Sequence, residues 1–277
     1  MFILPTIKMF KLIPFAALIL LPSFPAFGAA PRMDALAISR AEAGTMRGCA
    51  SDKLCIHLAP SPDDCEGDAC IADVASDHDW KLKLSGRGFD PANAVYRLTN
   101  LSSIDEESSF ELWPKLIRFK GGILAGVETS VHASYSGGGG GATTLHLIAF
   151  LPHQPPFEVL SIPQSANLDI RACFSESDAQ QRAGACHDSY TFNATLALPG
   201  TSAAGMPVLR YRSEATSFPG PVSRWKDSLA APPLRESDLV TVVDPQCSYQ
   251  RSFHFDPKAR SYVPNVPLPD CSGYTEP

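Results

Sequence analysis

Short apolar–polar alternations, rather than helical stripes, run through most of this chain. Trp80-Lys-Leu-Lys-Leu84 alternates apolar and polar positions and ends at Ser85-Gly86-Arg87-Gly88, the pattern of a half-buried strand closed by a turn. Residues 94–101 alternate more weakly. Residues 110–119 are apolar at most second positions, and Pro114 within them predicts an edge or a broken strand. Residues 123–135 and 143–151 flank Ser136 and five consecutive glycines at 137–141, which predicts two strands joined by a mobile glycine tip, since a hairpin needs only two turn residues. Further strands are predicted at 157–162, 168–174, 189–198, 208–212 and 239–243. Residues 249–255 and 261–263 read as a hairpin turning at Asp256-Pro257-Lys258. One helix has a local mechanism. Ser175-Glu-Ser-Asp178 fits the capping box, and Gly184 stands where a left-handed cap ends a helix over 178–183. The alanines of 35–46 suggest a second short helix.

Composition supports the β reading: 25 of 277 residues are proline, well above the average of about 5% and unsuited to long helices. The predicted class is all-β, an antiparallel sandwich or barrel-like body with one or two short helices and a disulfide-rich N-terminal segment. Three regions are expected: a signal peptide at 1–28, a cysteine-rich acidic segment at 29–75, and a β domain at 76–277. Residues 201–233, rich in Pro, Ser and Ala, read as including a long surface connection.

The leader carries Lys8 and Lys11 before an apolar core at 12–21, then small residues at Ala26-Phe27-Gly28, which predicts cleavage before Ala29. That core is too short to span a bilayer, and no later segment approaches the length needed. A periplasmic or secreted protein without a membrane span is therefore expected. Eight cysteines then favour four disulfides. Their distribution suggests sequential pairing, Cys49–Cys55, Cys65–Cys70, Cys173–Cys186 and Cys247–Cys271. Exchange among the first four is the alternative. The spacing of the N-terminal cysteines lacks the Cys-x-x-Cys knuckles of a zinc site.

Charge narrows the partners. The formal net charge is −6, and losing Lys8 and Lys11 with the leader makes the remainder more acidic. A net-negative chain without a basic run lacks the charge to neutralise nucleic-acid phosphates. Asp63, Asp64, Glu66, Asp68, Asp73, Asp77 and Asp79 crowd into a stretch with no Lys or Arg. Clustered carboxylates suit calcium, but the EF-hand glycine and terminal glutamate are missing, so a solvated acidic face is expected. No Gly-x-Ser-x-Gly elbow is present. The glycine run lacks the Lys-Ser/Thr of a phosphate loop and leads into a strand. His132 and His146 flank the glycines and would face each other if their strands pair suitably. Tyr135 and Ser136 stand at the base of the expected tip. The candidate binding residues are therefore Tyr135, Ser136, His132 and His146, with no metal, cofactor or catalytic set. A non-enzymatic binding or envelope-associated protein is expected, its partner a protein or an envelope component. A periplasmic or secreted hydrolase is the alternative.

Arg171-Ala-Cys-Phe-Ser-Glu176, Arg182-Ala-Gly-Ala-Cys-His-Asp-Ser-Tyr190 and Asp244-Pro-Gln-Cys-Ser-Tyr249 together resemble stretches of uncharacterised exported bacterial proteins with no known activity. Tyr135-Ser-Gly-Gly138 followed by Leu145-His-Leu147 resembles the strand–glycine loop–strand unit of propeller-type repeats, without their aspartate-rich calcium loop. Tyr135-Ser-Gly-Gly138 also resembles the Ser-Gly-Gly of chymotrypsin-like proteases, except that tyrosine stands where those enzymes have aspartate.

Overall fold

The computed structural model describes residues 30–41, 44–60, 80–86, 94–102, 108–199 and 205–277. The expected leader, the acidic run and the predicted Cys65–Cys70 pair lie outside the described residues. The chain enters through one extended stretch that serves two sheets. Its first part, β1 (Arg32–Ala35), pairs far along the chain, and its second, β2 (Ala37–Arg40), starts a smaller sheet. Leu36 marks the switch, buried, with its amide donating to the Pro114 carbonyl at 2.9 Å. The smaller sheet continues with β3 (Met46–Cys49), β4 (Cys55–Pro60), β5 (Trp80–Ser85) and β6 (Val95–Arg97), each antiparallel to the last.

The larger sheet contains β7 (Ser109–Phe119), β8 (Gly122–Tyr135), β9 (Gly138–Phe150), β10 (Phe157–Arg171), β11 (His187–Ala197), β12 (Leu209–Phe218), β13 (Val242–Val243), β14 (Gln250–Asp256) and β15 (Ser261–Pro264). Their order is β1-β7-β8-β9-β10-β11-β12-β14-β15, with β13 pairing β12. Two short helices, α1 (Glu176–Gln181) and α2 (Ser272–Thr275), complete the described elements other than brief 3-10 turns.

Two apolar cores explain the arrangement. Ile56, Leu58, Leu82 and Leu84 from the smaller sheet meet Leu116, Ala125, Val127, Ile148 and Phe150 from β7–β9. The opposite face of β7–β9 presents Ile117, Leu124, Leu145 and Leu147 to Phe192, Tyr211, Phe253 and Tyr262. The larger sheet therefore curls over the second core, and β15 and α2 come back against β10. Strands covered on both faces need not alternate. Accordingly, every residue from Leu145 to Phe150 is buried.

The all-β body and its short helices agree with the sequence pattern, and the departures have physical causes. Within 35–46, Ala35 and Ala37–Arg40 lie in strands rather than a helix, because pairing with β7 and β3 and burial of Leu36 outweigh alanine's weak preference. The N-terminal disulfide Cys49–Cys55 lies within the smaller sheet, joining β3 to β4, rather than in a distinct disulfide-rich segment. The strands expected at 157–162 and 168–174 are one strand, β10, which passes Pro163 by a register shift.

The glycine run is the largest departure. Only Ser136 and Gly137 form the turn, while Gly138–Gly141 are strand residues paired on both sides, with Tyr135–His132 of β8 and Ile170–Asn167 of β10. A Cβ at Gly138 would stand 2.1 Å from the Asp169 carbonyl oxygen, and one at Gly140 2.4 Å from that of Asn167. Backbone crowding, rather than mobility, accounts for glycine at these positions.

Candidate functional site

Side chains directly opposite one another in adjacent strands share a face. In the smaller sheet the register sets Arg47 opposite His57, His57 opposite Lys83, and Lys81 opposite Arg97. The alternate positions, Ile56, Leu58, Leu82, Leu84 and Tyr96, turn into the core. The outward face thus gathers Arg47, His57, Lys81, Lys83 and Arg97, and no acidic residue occurs on it among the described residues. Of the pairs just named, Lys81–Arg97 alone sets two cations opposite each other, and His57 stands between Arg47 and Lys83.

Four of these residues line a cleft of about 640 Å³. His57, Lys81, Lys83 and Arg97 are joined there by Ala59, Val95, Asn100 and the pair Pro155 and Pro156, which lies between β9 and β10. The imidazole of His57 is within 3.1 Å of the Ser85 hydroxyl. Burial first, then the charges of Arg47 and Lys83, hold it below the ordinary histidine range. Lys81 and Arg97 also engage other groups of the chain. The Cys49–Cys55 disulfide joins directly opposed residues on the same face and fixes the β3–β4 hairpin that carries Arg47 and His57. The acidic stretch within 61–79 connects β4 to β5 and so joins in sequence the two strands bearing His57, Lys81 and Lys83.

A second polar cluster lies inside the protein. His146 is fully buried, its Nδ1 2.7 Å from Glu158 Oε1 and its Nε2 3.0 Å from Thr129 Oγ1. Glu158 accepts from the Ser102 amide at 2.9 Å and from the Ser102 hydroxyl at 3.2 Å. Carboxylate, imidazole and hydroxyl thus form a chain across β10, β9 and β8. Tyr96, which lines the cleft, has its phenol pushed upward by burial and then by the Glu158 charge. Thr129 is only 4% exposed, so the hydroxyl end faces no open space.

The residues expected from sequence are dispersed. His132, Tyr135 and Ser136 share the exposed end of the β8–β9 hairpin. His146 is not with them. It pairs with Val127 while His132 pairs with Gly141, an odd offset that sets the two histidines on opposite faces. Among the described residues no group of three or more His, Cys, Asp or Glu is arranged to hold a metal. Disulfides Cys173–Cys186 and Cys247–Cys271 are formed as the sequential pairing expects. The alternating lysines of β5 signalled the basic face in sequence, but Arg47 and Arg97 join it only through register. Thr129 and Glu158 carried no spacing signal, because three separate strands bring them to His146. No family model, curated protein or solved structure matches this chain.

Proposed function

We propose that this is an exported, disulfide-stabilised binding protein of the periplasm or the extracellular space, and that the basic cleft of the smaller sheet is its binding site. One observation carries the reading: Arg47 and Lys83, both exposed, stand on either side of His57 on the face of the sheet that carries the cleft. The disulfides support an oxidising compartment, and no helix among the described residues is long and apolar enough to cross a membrane. The test is sedimentation of the purified protein with isolated cell envelopes of its host. The intact protein is expected to co-sediment, and an Arg47→Glu/Lys83→Glu variant of unchanged melting temperature is expected to stay in solution. Equal behaviour of the two would reject the cleft as the site.

A hydrolase is the second reading, favoured by the Glu158–His146–Thr129 chain, which has the order of groups found in hydrolytic triads. It requires a substrate path to a buried hydroxyl. Ester and amide hydrolysis by the intact protein, lost in Thr129→Ala, would establish it. The absence of turnover across such substrates would leave the cluster a structural one.

A further inference from the structure

We infer that a cavity under the segment 219–240, beside α1 and β11, is a second binding site, made for a small carboxylic acid with a compact apolar body. It shares no lining residue with the cleft of the smaller sheet and is independent of that reading. The cavity holds about 300 Å³, at the small end of the range for ligand pockets. Its apolar walls are Pro221, Val222, Pro232, Pro233 and Leu234. The three prolines have φ fixed by their rings. Hydrogen bonds tie the same segment to α1. The Gln181 side chain donates to the Leu229 and Ala231 carbonyls at 3.0 and 3.3 Å, and the Leu234 amide donates to the Gln181 carbonyl at 2.9 Å. The Gly220 amide donates to the Asp238 carbonyl at 3.0 Å and closes the base of the segment. The pocket is thus formed in advance, which lowers the ordering cost of binding.

The polar groups select the ligand's charge. Arg182 lines the cavity and is only 2% exposed. Its Nε donates to the Ala185 carbonyl at 3.2 Å and its Nη2 to Asp188, whereas Nη1 has no partner among the described residues. A guanidinium so enclosed can meet a further acceptor only through the cavity it lines. Asp188 also accepts from the Ser228 hydroxyl, so the tie between α1, β11 and the segment is complete without Nη1. At the exposed rim the Lys226 ammonium likewise has no partner among the described residues. The lining acids are already engaged. Asp238 accepts from Arg235 through both carboxylate oxygens, and Asp227 accepts from the Leu229 amide. Free donors therefore outnumber free acceptors. A carboxylate meets Nη1, with Lys226 adding its field, while the hydrocarbon part lies on the prolines and Leu234. Inorganic phosphate has no such part, and an amine would bring its charge toward Arg182 and Lys226.

The experiment measures, by calorimetry, binding of 3-phenylpropionate and 4-methylpentanoate to the purified exported chain with its disulfides intact. 3-Phenyl-1-propanol, 3-phenylpropylamine and inorganic phosphate serve as comparisons. At least one acid is expected to bind with a dissociation constant below about 1 mM, and 3-phenylpropionate about tenfold more tightly than its alcohol, with no binding of the amine or of phosphate. Affinity should fall as pH drops through the carboxylate range, where the ligand loses its charge. Leu234→Trp fills the cavity and leaves the ion pair and the backbone bond to Gln181 in place, so it should abolish binding at unchanged melting temperature. Leu234→Phe replaces it if the larger ring lowers that temperature. Lys226→Gln, at an exposed position, should weaken binding about threefold. The Arg47→Glu/Lys83→Glu variant should bind the acids as the parent does, which keeps this site separable from the cleft. Failure of both acids to bind overturns the inference. Equal binding of the alcohol, or unchanged affinity in the folded Leu234 variant, overturns it as well.

Discussion

His146 shows how a polar residue comes to sit in an apolar strand. By sequence alone, a histidine between Leu145 and Leu147 belongs on a solvated face, because alternation normally means that one face is wet. That inference fails in β9, which is covered on both sides. The imidazole is retained there because Thr129 and Glu158 satisfy its two nitrogens. Removing one member leaves the others buried and unpaired. His146→Ala is therefore expected to cost about 2–4 kcal/mol in denaturant unfolding, and Glu158→Gln about 1–3 kcal/mol. A second residue has a pH signature. Glu128 faces Glu111 across β7 and β8, and burial first, then the Glu111 charge, holds its carboxyl above the ordinary range. A raised value stabilises the fold below the ordinary glutamate range, and that stabilisation is lost as pH rises through the raised value. Glu128→Gln should consequently raise the melting temperature at neutral pH, by an amount corresponding to at most about 1 kcal/mol, with no difference from the parent in acid.

Elements with local determinants were the legible ones. Helix α1 appeared where Ser175 and Asp178 announced it. The Ser175 hydroxyl accepts from the Asp178 amide, and the Asp178 carboxylate accepts from the Ser175 amide, while Gly184 adopts a positive φ of 84°. The Phe174 and Ser175 amides together hold the Asp178 carboxyl below its ordinary range. Ser175→Ala should cost about 1 kcal/mol in thermal unfolding. The glycine run was misleading for the opposite reason. A string of glycines signals conformational freedom in isolation, but the closeness of β8 and β10, which determines their role, is a non-local fact. The same geometry makes a graded test. Gly140→Ala, whose methyl would enter the Asn167 carbonyl, should lose more than about 2 kcal/mol or fail to fold. At Gly137 the nearest atom would be 3.7 Å away, so Gly137→Ala should change the melting temperature little. A large loss there would show that the turn is as constrained as the strand.

At the scale of the molecule, the class and the pairings Cys49–Cys55, Cys173–Cys186 and Cys247–Cys271 could be read from the chain, but the use of β7–β9 as a wall shared by two cores could not. Nothing in the alternation of 110–119 states which odd or even positions face which neighbour, and the register shift between Leu112 and Leu116 changes the answer within one strand. The C-terminal part is fastened to the second core by Cys247–Cys271, both buried. Replacing the pair with alanines should lower stability by about 3 kcal/mol in the chain-entropy account, measured by urea unfolding. The stretch that changes sheets at Leu36 also has a consequence for the order in which the protein is made. Residues 32–35 leave the ribosome early, yet their partners, Lys115–Arg118, follow some eighty positions later. Until then the first strand is an open edge, and the inward leucines of β4 and β5 have no wall. The nascent chain therefore passes through a length at which every strand of the smaller sheet has been synthesised and its apolar side is still bare. That interval exposes it to aggregation and sets the moment at which a holding chaperone would serve it best.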